Sequence, residues 1–335
     1  MKAVFMGLEK NIDYVYDEAS FARLHELCDL CHAPVITKDN IEEYAEQLKD
    51  TEFAFSTWGM QHYTVEEIKK YFPSLRALFY AAGTVKDFAR EFLEAGVKVF
   101  SAWGANAVPV AEYAVAQIIL ANKGFYTAMH YCTQNPADRG AATDIFKAHK
   151  GNYGARVGLL GLGMIGSMVA DMLKQYTLEV VAFDPFCSEE KAQSLGVKLV
   201  SLEELFETSD VISNHLANKP ETVGIINAEL IFSMKEDATF INTGRGAQVD
   251  EEALAEFMAY HPFATAVLDV TDPEPPLPSS PLFGKMNIYL TPHIAGSSGD
   301  EVHRMAEYMC GECEKFIAGE KCRWEVTLDM LKTMA

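Results

Sequence analysis

The sequence predicts an α/β protein of two doubly wound units, each a parallel sheet with helices on both faces. Three observations carry that expectation. Short apolar runs alternate with stretches of helical spacing along almost the whole chain, as parallel strands joined by crossover helices do. A glycine-rich turn between an apolar strand and a helix stands at 161–166. The 335 residues, 49% of them hydrophobic, suffice for two cores at the usual size of about 100–200 residues per domain.

Taken in order, Met1-Lys2-Ala3-Val4-Phe5-Met6-Gly7 is too short and too quickly polar for a secretory signal and reads as a first core strand over 2–6. Further strands are expected near 53–56, 76–80 and 97–100, with helices such as 64–72 between them. A longer helix follows over 108–121, and 124–155 reads as irregular. A second series of strands begins at Val157 and continues near 179–183, 197–200, 210–213, 238–242, 265–269 and 287–290. The stretch 272–281 carries too much proline for strand or helix and must be a loop. A last helix follows Gly296.

The glycine turn is the first pointer to chemistry. Arg156-Val157-Gly158-Leu159-Leu160 is a strand, Gly161 and Gly163 permit a tight turn with close approach to a pyrophosphate, and Gly166 lets the next helix pack on the strand. That context separates it from a chance G-x-G-x-x-G. The candidate cofactor contacts are therefore Gly161, Gly163, Met164, Ile165 and Gly166. Asp184 stands 18 residues after Gly166 at the end of the next strand. There a carboxylate accepts hydrogen bonds from the adenine ribose hydroxyls. It would repel a 2′-phosphate, and Pro185, Phe186, Cys187 and Ser188 supply no cation to hold one, so NAD is expected rather than NADP.

A net charge of −20 argues against nucleic acid as a partner and requires a local cationic site for any anionic substrate. No apolar run is read as approaching membrane-spanning length, so a cytoplasmic location is expected. Seven cysteines without a signal peptide point to reduced thiols. Cys28-x-x-Cys31 and Cys310-x-x-Cys313 have zinc-like spacing, and Cys31-His32 completes a haem-attachment pattern. Both pairs lie in helix-like stretches, 21–30 and 302–316, so buried thiols are preferred and no metal is expected.

Three later segments each end a strand with polar residues, where open α/β sheets bind ligands. Asn242-Thr243-Gly244-Arg245-Gly246 offers a guanidinium fork for a carboxylate or carbonyl. Leu268-Asp269-Val270-Thr271-Asp272-Pro273-Glu274-Pro275 offers carboxylates, and Thr291-Pro292-His293-Ile294-Ala295-Gly296 places His293 on a restrained turn. A carboxylate beside an imidazole favours the imidazolium, a proton donor fit for reducing a carbonyl. Glu274 is the partner expected for His293, with Asp272 as the alternative. His215 reads as lying near the cofactor or capping a strand.

These four ordered motifs resemble the D-isomer-specific 2-hydroxyacid dehydrogenase family over most of residues 102–298. The resemblance implies a Rossmann-like NAD domain, 103–297, inserted into a discontinuous flavodoxin-like substrate domain, 1–102 plus 298–335. It implies that Arg245 binds and polarises a 2-oxo acid, that His293 is the acid/base oriented by Glu274, and that Asp269 contacts the nicotinamide carboxamide. His215, Thr243 and Ala295 join the cofactor contacts. Tyr80-Ala81-Ala82-Gly83-Thr84-Val85 resembles the family's carboxylate-holding loop, which makes Ala82, Gly83 and Thr84 substrate-binding beside Arg245 and His293. A homodimer is a family expectation, as is domain closure that excludes water. The chain's end near 335 gives no sign of the regulatory domain of longer phosphoglycerate dehydrogenases.

There are departures. Ala217-Asn218-Lys219 stands where the family usually has Pro-Leu-Thr, and Thr271 replaces a usual aromatic. Trp58 and Trp103 are read either as pocket-lining or as packing residues. Two alternatives come from the same family: a non-catalytic NAD-sensing corepressor, which no disordered tail or basic patch supports, and a formate dehydrogenase, against which Glu274 stands because that branch carries Gln there.

Overall fold

The structure, a computed structural model, describes residues 1–30, 33–134 and 139–332. The chain divides into two units, Met1–Ala107 with Ser297–Ala335, and Val108–Gly296. The division falls within the helix Trp103–Ala121.

In the first unit, strands β1 (Lys2–Met6), β2 (Asp29–Leu30), β3 (Thr51–Ser56), β4 (Ala77–Tyr80) and β5 (Lys98–Ser101) lie in the order β2-β1-β3-β4-β5, all parallel. The short antiparallel strand Glu325–Val326 closes the edge beyond β5. Register decides the core. It sets Phe5 opposite Phe55, Phe55 opposite Phe79, and Phe79 opposite Phe100, so four aromatic residues form one row across the sheet. Phe55–Phe79 and Phe79–Phe100 stack at 5.2 and 5.0 Å between ring centroids, and Phe316 of the helix His303–Ala318 packs edge-on against Phe79 and Phe100. The two-residue edge strands β2 and Glu325–Val326 were not foreseen.

In the second unit, β6 (Tyr153–Leu160), β7 (Thr177–Phe183), β8 (Lys198–Leu199), β9 (Val211–Asn214), β10 (Thr239–Asn242), β11 (Thr265–Leu268) and β12 (Ile288–Leu290) are all parallel, in the order β8-β7-β6-β9-β10-β11-β12. The chain leaves β6 first to one side and then to the other. The carboxyl ends of β6 and β9 therefore flank a switch point, where such sheets bind ligands.

Several sequence expectations are corrected. The stretch read as irregular holds two helices, Phe125–Gln134 and Arg139–Ala148. The first is held by polar and aromatic contacts rather than an aliphatic stripe: Thr127 Oγ1 meets Thr265 Oγ1 at 3.0 Å, and Tyr289 donates to the Tyr126 carbonyl at 2.8 Å. Such a face gives little apolar period to read. The helix expected over 108–121 begins at Trp103, and its 19 residues are long and apolar enough to cross a membrane. More than half of it is buried, with Ala111, Ala114, Ile118 and Ala121 packed among Val157, Leu159 and Val169, so it is a core helix.

Cys28 lies just past its helix, Glu18–Leu27, as the C-cap, and Cys31 and His32 lie outside the described residues. Cys28 Sγ sits 3.9 Å from Cys313 Sγ, both thiols buried and not joined by a disulfide, and burial pushes the Cys310 thiol up to about 12. Among the described residues no group of His, Cys, Asp and Glu forms a metal site. Trp103 packs edge-on against Trp324 at 5.2 Å, while Trp58 packs on the first core and its carbonyl accepts from Asn11 Nδ2.

Candidate active site

The glycine turn follows β6 directly. Gly161 has φ +87°, and a Cβ there would lie 3.1 Å from the His215 carbonyl oxygen. Gly166 is more constrained, since its Cβ would come within 2.0 Å of the Gly161 carbonyl oxygen. Only glycine lets the helix Met164–Leu173 start this close to the strand. A Cβ at Gly163 would meet nothing within 4 Å, and no side chain caps the helix, so its N-terminal N–H groups are left for an anion. Asp184, just past β7, accepts from Leu162 N–H at 2.7 Å and Phe186 N–H at 2.8 Å. Each carboxylate oxygen keeps a further lone pair for a ribose hydroxyl. The residues present fit a dinucleotide.

His215 follows β9, with Nε2 3.0 Å from Ser213 Oγ and Nδ1 3.4 Å from Thr243 Oγ1. Burial pushes its imidazole down to about 4. The fold thus holds it neutral, whereas the unfolded chain takes up a proton near pH 6.5, so stability falls as pH drops from about 6.5 towards 4 and no further below. At pH 5 the loss is on the order of 1–2 kcal/mol. Melting temperatures at pH 7.5 and pH 5 check this: wild type should lose more than His215→Gln, and equal losses would refute it.

Arg245 follows β10. Its Nη1 donates to the Gly244 carbonyl at 2.7 Å, and among the described residues it forms no ion pair. A half-buried guanidinium without a carboxylate is poised for an anionic ligand. The next residue fixes where it stands: a Cβ on Gly246 would lie 2.0 Å from the Thr271 carbonyl carbon, so the Arg245 turn presses on the loop that carries Glu274.

Asp269, at the end of β11, is buried and clamps the histidine turn. Its carboxylate accepts from Thr291 Oγ1 at 2.7 Å, Ile294 N–H at 2.8 Å and Ala295 N–H at 2.9 Å, and its carbonyl accepts from His293 N–H at 3.0 Å. This holds His293 at φ +55°, a left-handed conformation unusual for any residue but glycine. His293 Nδ1 lies 2.7 Å from Glu274 Oε1. A carboxylate only accepts, so Nδ1 donates and Nε2 is the atom turned to other work. Both side chains are half-exposed.

The model of the family described as "D-isomer specific 2-hydroxyacid dehydrogenase, NAD binding domain" matches residues 116–295, more than half of the chain. The chain belongs to that family. Among members of this 2-hydroxyacid dehydrogenase family, a D-3-phosphoglycerate dehydrogenase from Archaeoglobus fulgidus is 36% identical over 203 residues, 61% of this chain and 38% of that protein. A glyoxylate reductase from Korarchaeum cryptofilum is 32% identical over 249 residues, 74% of this chain and 75% of that one. The chain spans about two fifths of the length of the phosphoglycerate dehydrogenases it matches. The apo structure of Rhodotorula graminis D-mandelate dehydrogenase shares the fold with a TM-score of 0.82 at 20% identity, over 97% of both chains. The second unit is thus the family's NAD-binding domain.

Within that domain the structure brings Arg245, Glu274 and His293 onto adjoining loops and sets Asp184, His215 and Thr243 around the glycine turn. It pairs Glu274, not Asp272, with His293, and engages Asp269 with the His293 turn. Ala82, Gly83 and Thr84 lie in the first unit. Ser101 Oγ donates to the Ala82 carbonyl at 2.9 Å and to that of Gly83, and the N–H groups of Gly83 and Thr84 meet no protein acceptor among the described residues. Sequence reasoning missed Thr291, which joins Asp269 to Tyr113, and Asn106, whose side chain accepts from Ser297 N–H at 3.0 Å beside Gly83. Only their position at strand and helix ends could have flagged them.

Proposed function

We propose that this protein is an NAD-dependent oxidoreductase that transfers a hydride reversibly between the cofactor and C2 of a small 2-oxo or D-2-hydroxy acid. The observation that carries the reading is the 2.7 Å contact between His293 Nδ1 and Glu274, on loops adjoining that of Arg245, which forms no ion pair among the described residues. The turn from Gly161 to Gly166 together with Asp184 would hold NAD, which would supply or receive the hydride. Arg245 grips the substrate's carboxylate and polarises its C2 carbonyl; within the first unit, Ala82, Gly83 and Thr84 are proposed as substrate-binding through their backbone N–H groups. His293, oriented by Glu274, gives its Nε2 proton to the oxygen as the alcohol forms and takes it back in oxidation.

The further expectations join this reading as proposals: Asp269 and Ala295 beside the nicotinamide, a cytoplasmic location, and a homodimer. The function is tested by following NADH absorbance with glyoxylate, hydroxypyruvate, pyruvate and branched 2-oxo acids. Turnover with at least one is expected; tight NADH binding without turnover on any would favour the sensor.

A further inference from the structure

At the ends of β9 and β10 three side-chain amides, Asn214, Asn242 and Gln248, are almost wholly buried. Buried amides must be satisfied, and these satisfy one another. Asn214 Nδ2 donates to Asn242 Oδ1 at 3.0 Å and to Gln248 Oε1 at 2.7 Å, and Asn242 Nδ2 donates to the Arg245 carbonyl at 3.1 Å. Gln248 reaches furthest. Its Oε1 also accepts from Arg245 N–H at 3.2 Å, while its Nε2 donates to the carbonyls of Leu216 and Ala217 at 3.1 and 3.0 Å and lies 3.4 Å from Thr222 Oγ1.

One fully buried side chain thus holds the backbone of Arg245 at one end and the loop 216–222 at the other. That loop contains the stretch Ala217-Asn218-Lys219, and it begins against the glycine turn: a Cβ on Gly161 would lie 3.4 Å from Leu216 Cα. The network also explains Gly244, where a Cβ would come within 2.8 Å of both Asn214 Nδ2 and Gln248 Oε1.

We propose that Gln248 is a positioning residue that couples Arg245 to the cofactor-side loop 216–222, so that substrate grip and cofactor binding share one support. The proposal rests on the reading of Arg245 as the substrate-binding cation. Gln248→Met keeps the volume and loses every hydrogen bond. Gln248→Glu keeps the acceptor for Arg245 and Asn214; ionised it repels both loop carbonyls, and protonated it satisfies only one of them.

NADH affinity is read by fluorescence titration and KM with glyoxylate, alongside melting temperature. For Gln248→Met, NADH Kd and glyoxylate KM should each rise roughly tenfold. For Gln248→Glu, NADH Kd should rise several-fold with glyoxylate KM within about twofold of wild type. A lower melting temperature with Kd and KM unchanged in both variants marks a merely structural residue and overturns the proposal. If Gln248→Met cannot be purified, an unchanged NADH Kd in Gln248→Glu overturns it alone. Arg245→Gln separates the two readings: if it leaves glyoxylate KM unchanged, the role of Arg245 falls, whatever Gln248→Met does to NADH.

Discussion

His293→Ala is expected to lower kcat for 2-oxo acid reduction by about 10²- to 10⁴-fold, the usual worth of a positioned general acid, while NADH Kd stays within about twofold of wild type. The split follows from how the turn is built. Asp269 pins it through the N–H groups of His293, Ile294 and Ala295 and the hydroxyl of Thr291, none of which belongs to the imidazole. Removing the ring therefore takes away the proton donor and leaves the loop in place. An alanine at φ +55° is no easier than histidine, so some thermal stability goes as well. Single-turnover NADH oxidation beside fluorescence titration of NADH makes the measurement. Full turnover in the variant would remove His293 from the chemistry and leave its contact with Glu274 as a surface pair.

How much of this was legible beforehand varied with the kind of residue. The inner strands were readable as short, largely apolar runs of strand length that end in or lead into a polar residue, as in Thr239–Asn242 and in Thr265–Leu268 followed by Asp269. The glycine turn was readable because close approach restricts its positions to one residue type, as Gly166 shows against the Gly161 carbonyl. The pairing of Glu274 with His293 was named in advance but not decided, since Asp272 sits two residues away on the same loop; only coordinates tell which carboxylate turns inward. Gln248 was invisible. An amide in Gly-Ala-Gln-Val has no periodic signature, and its importance comes from carbonyls 31 and 32 residues away. The helix Phe125–Gln134 escaped for a related reason, because its anchors are Thr127 and Tyr126 rather than leucines at helical spacing.

Arg245 offers the second large effect, and the substitution that tests it best is the one that keeps its charge. In Arg245→Lys a point charge replaces a planar fork. Arg245 holds the Gly244 carbonyl with Nη1 and has its remaining donors to direct at a substrate. An ammonium on a flexible stem cannot hold the first contact and present a bidentate pair at once. Losing one charge-assisted hydrogen bond costs about 1.5–3 kcal/mol, so kcat/KM for the preferred 2-oxo acid should fall roughly ten- to a hundredfold in Arg245→Lys. Arg245→Gln, which also loses the charge, should fall further, with the loss in both KM and kcat because the group meets the carboxylate in the ground state and the carbonyl oxygen in the transition state. NADH Kd should stay unchanged in both, since the backbone of Arg245, not its side chain, meets the amides of Gln248 and Asn242. If Arg245→Gln keeps kcat/KM within twofold of wild type, the guanidinium does not touch the substrate, and the anion site of this strongly acidic chain must be sought elsewhere.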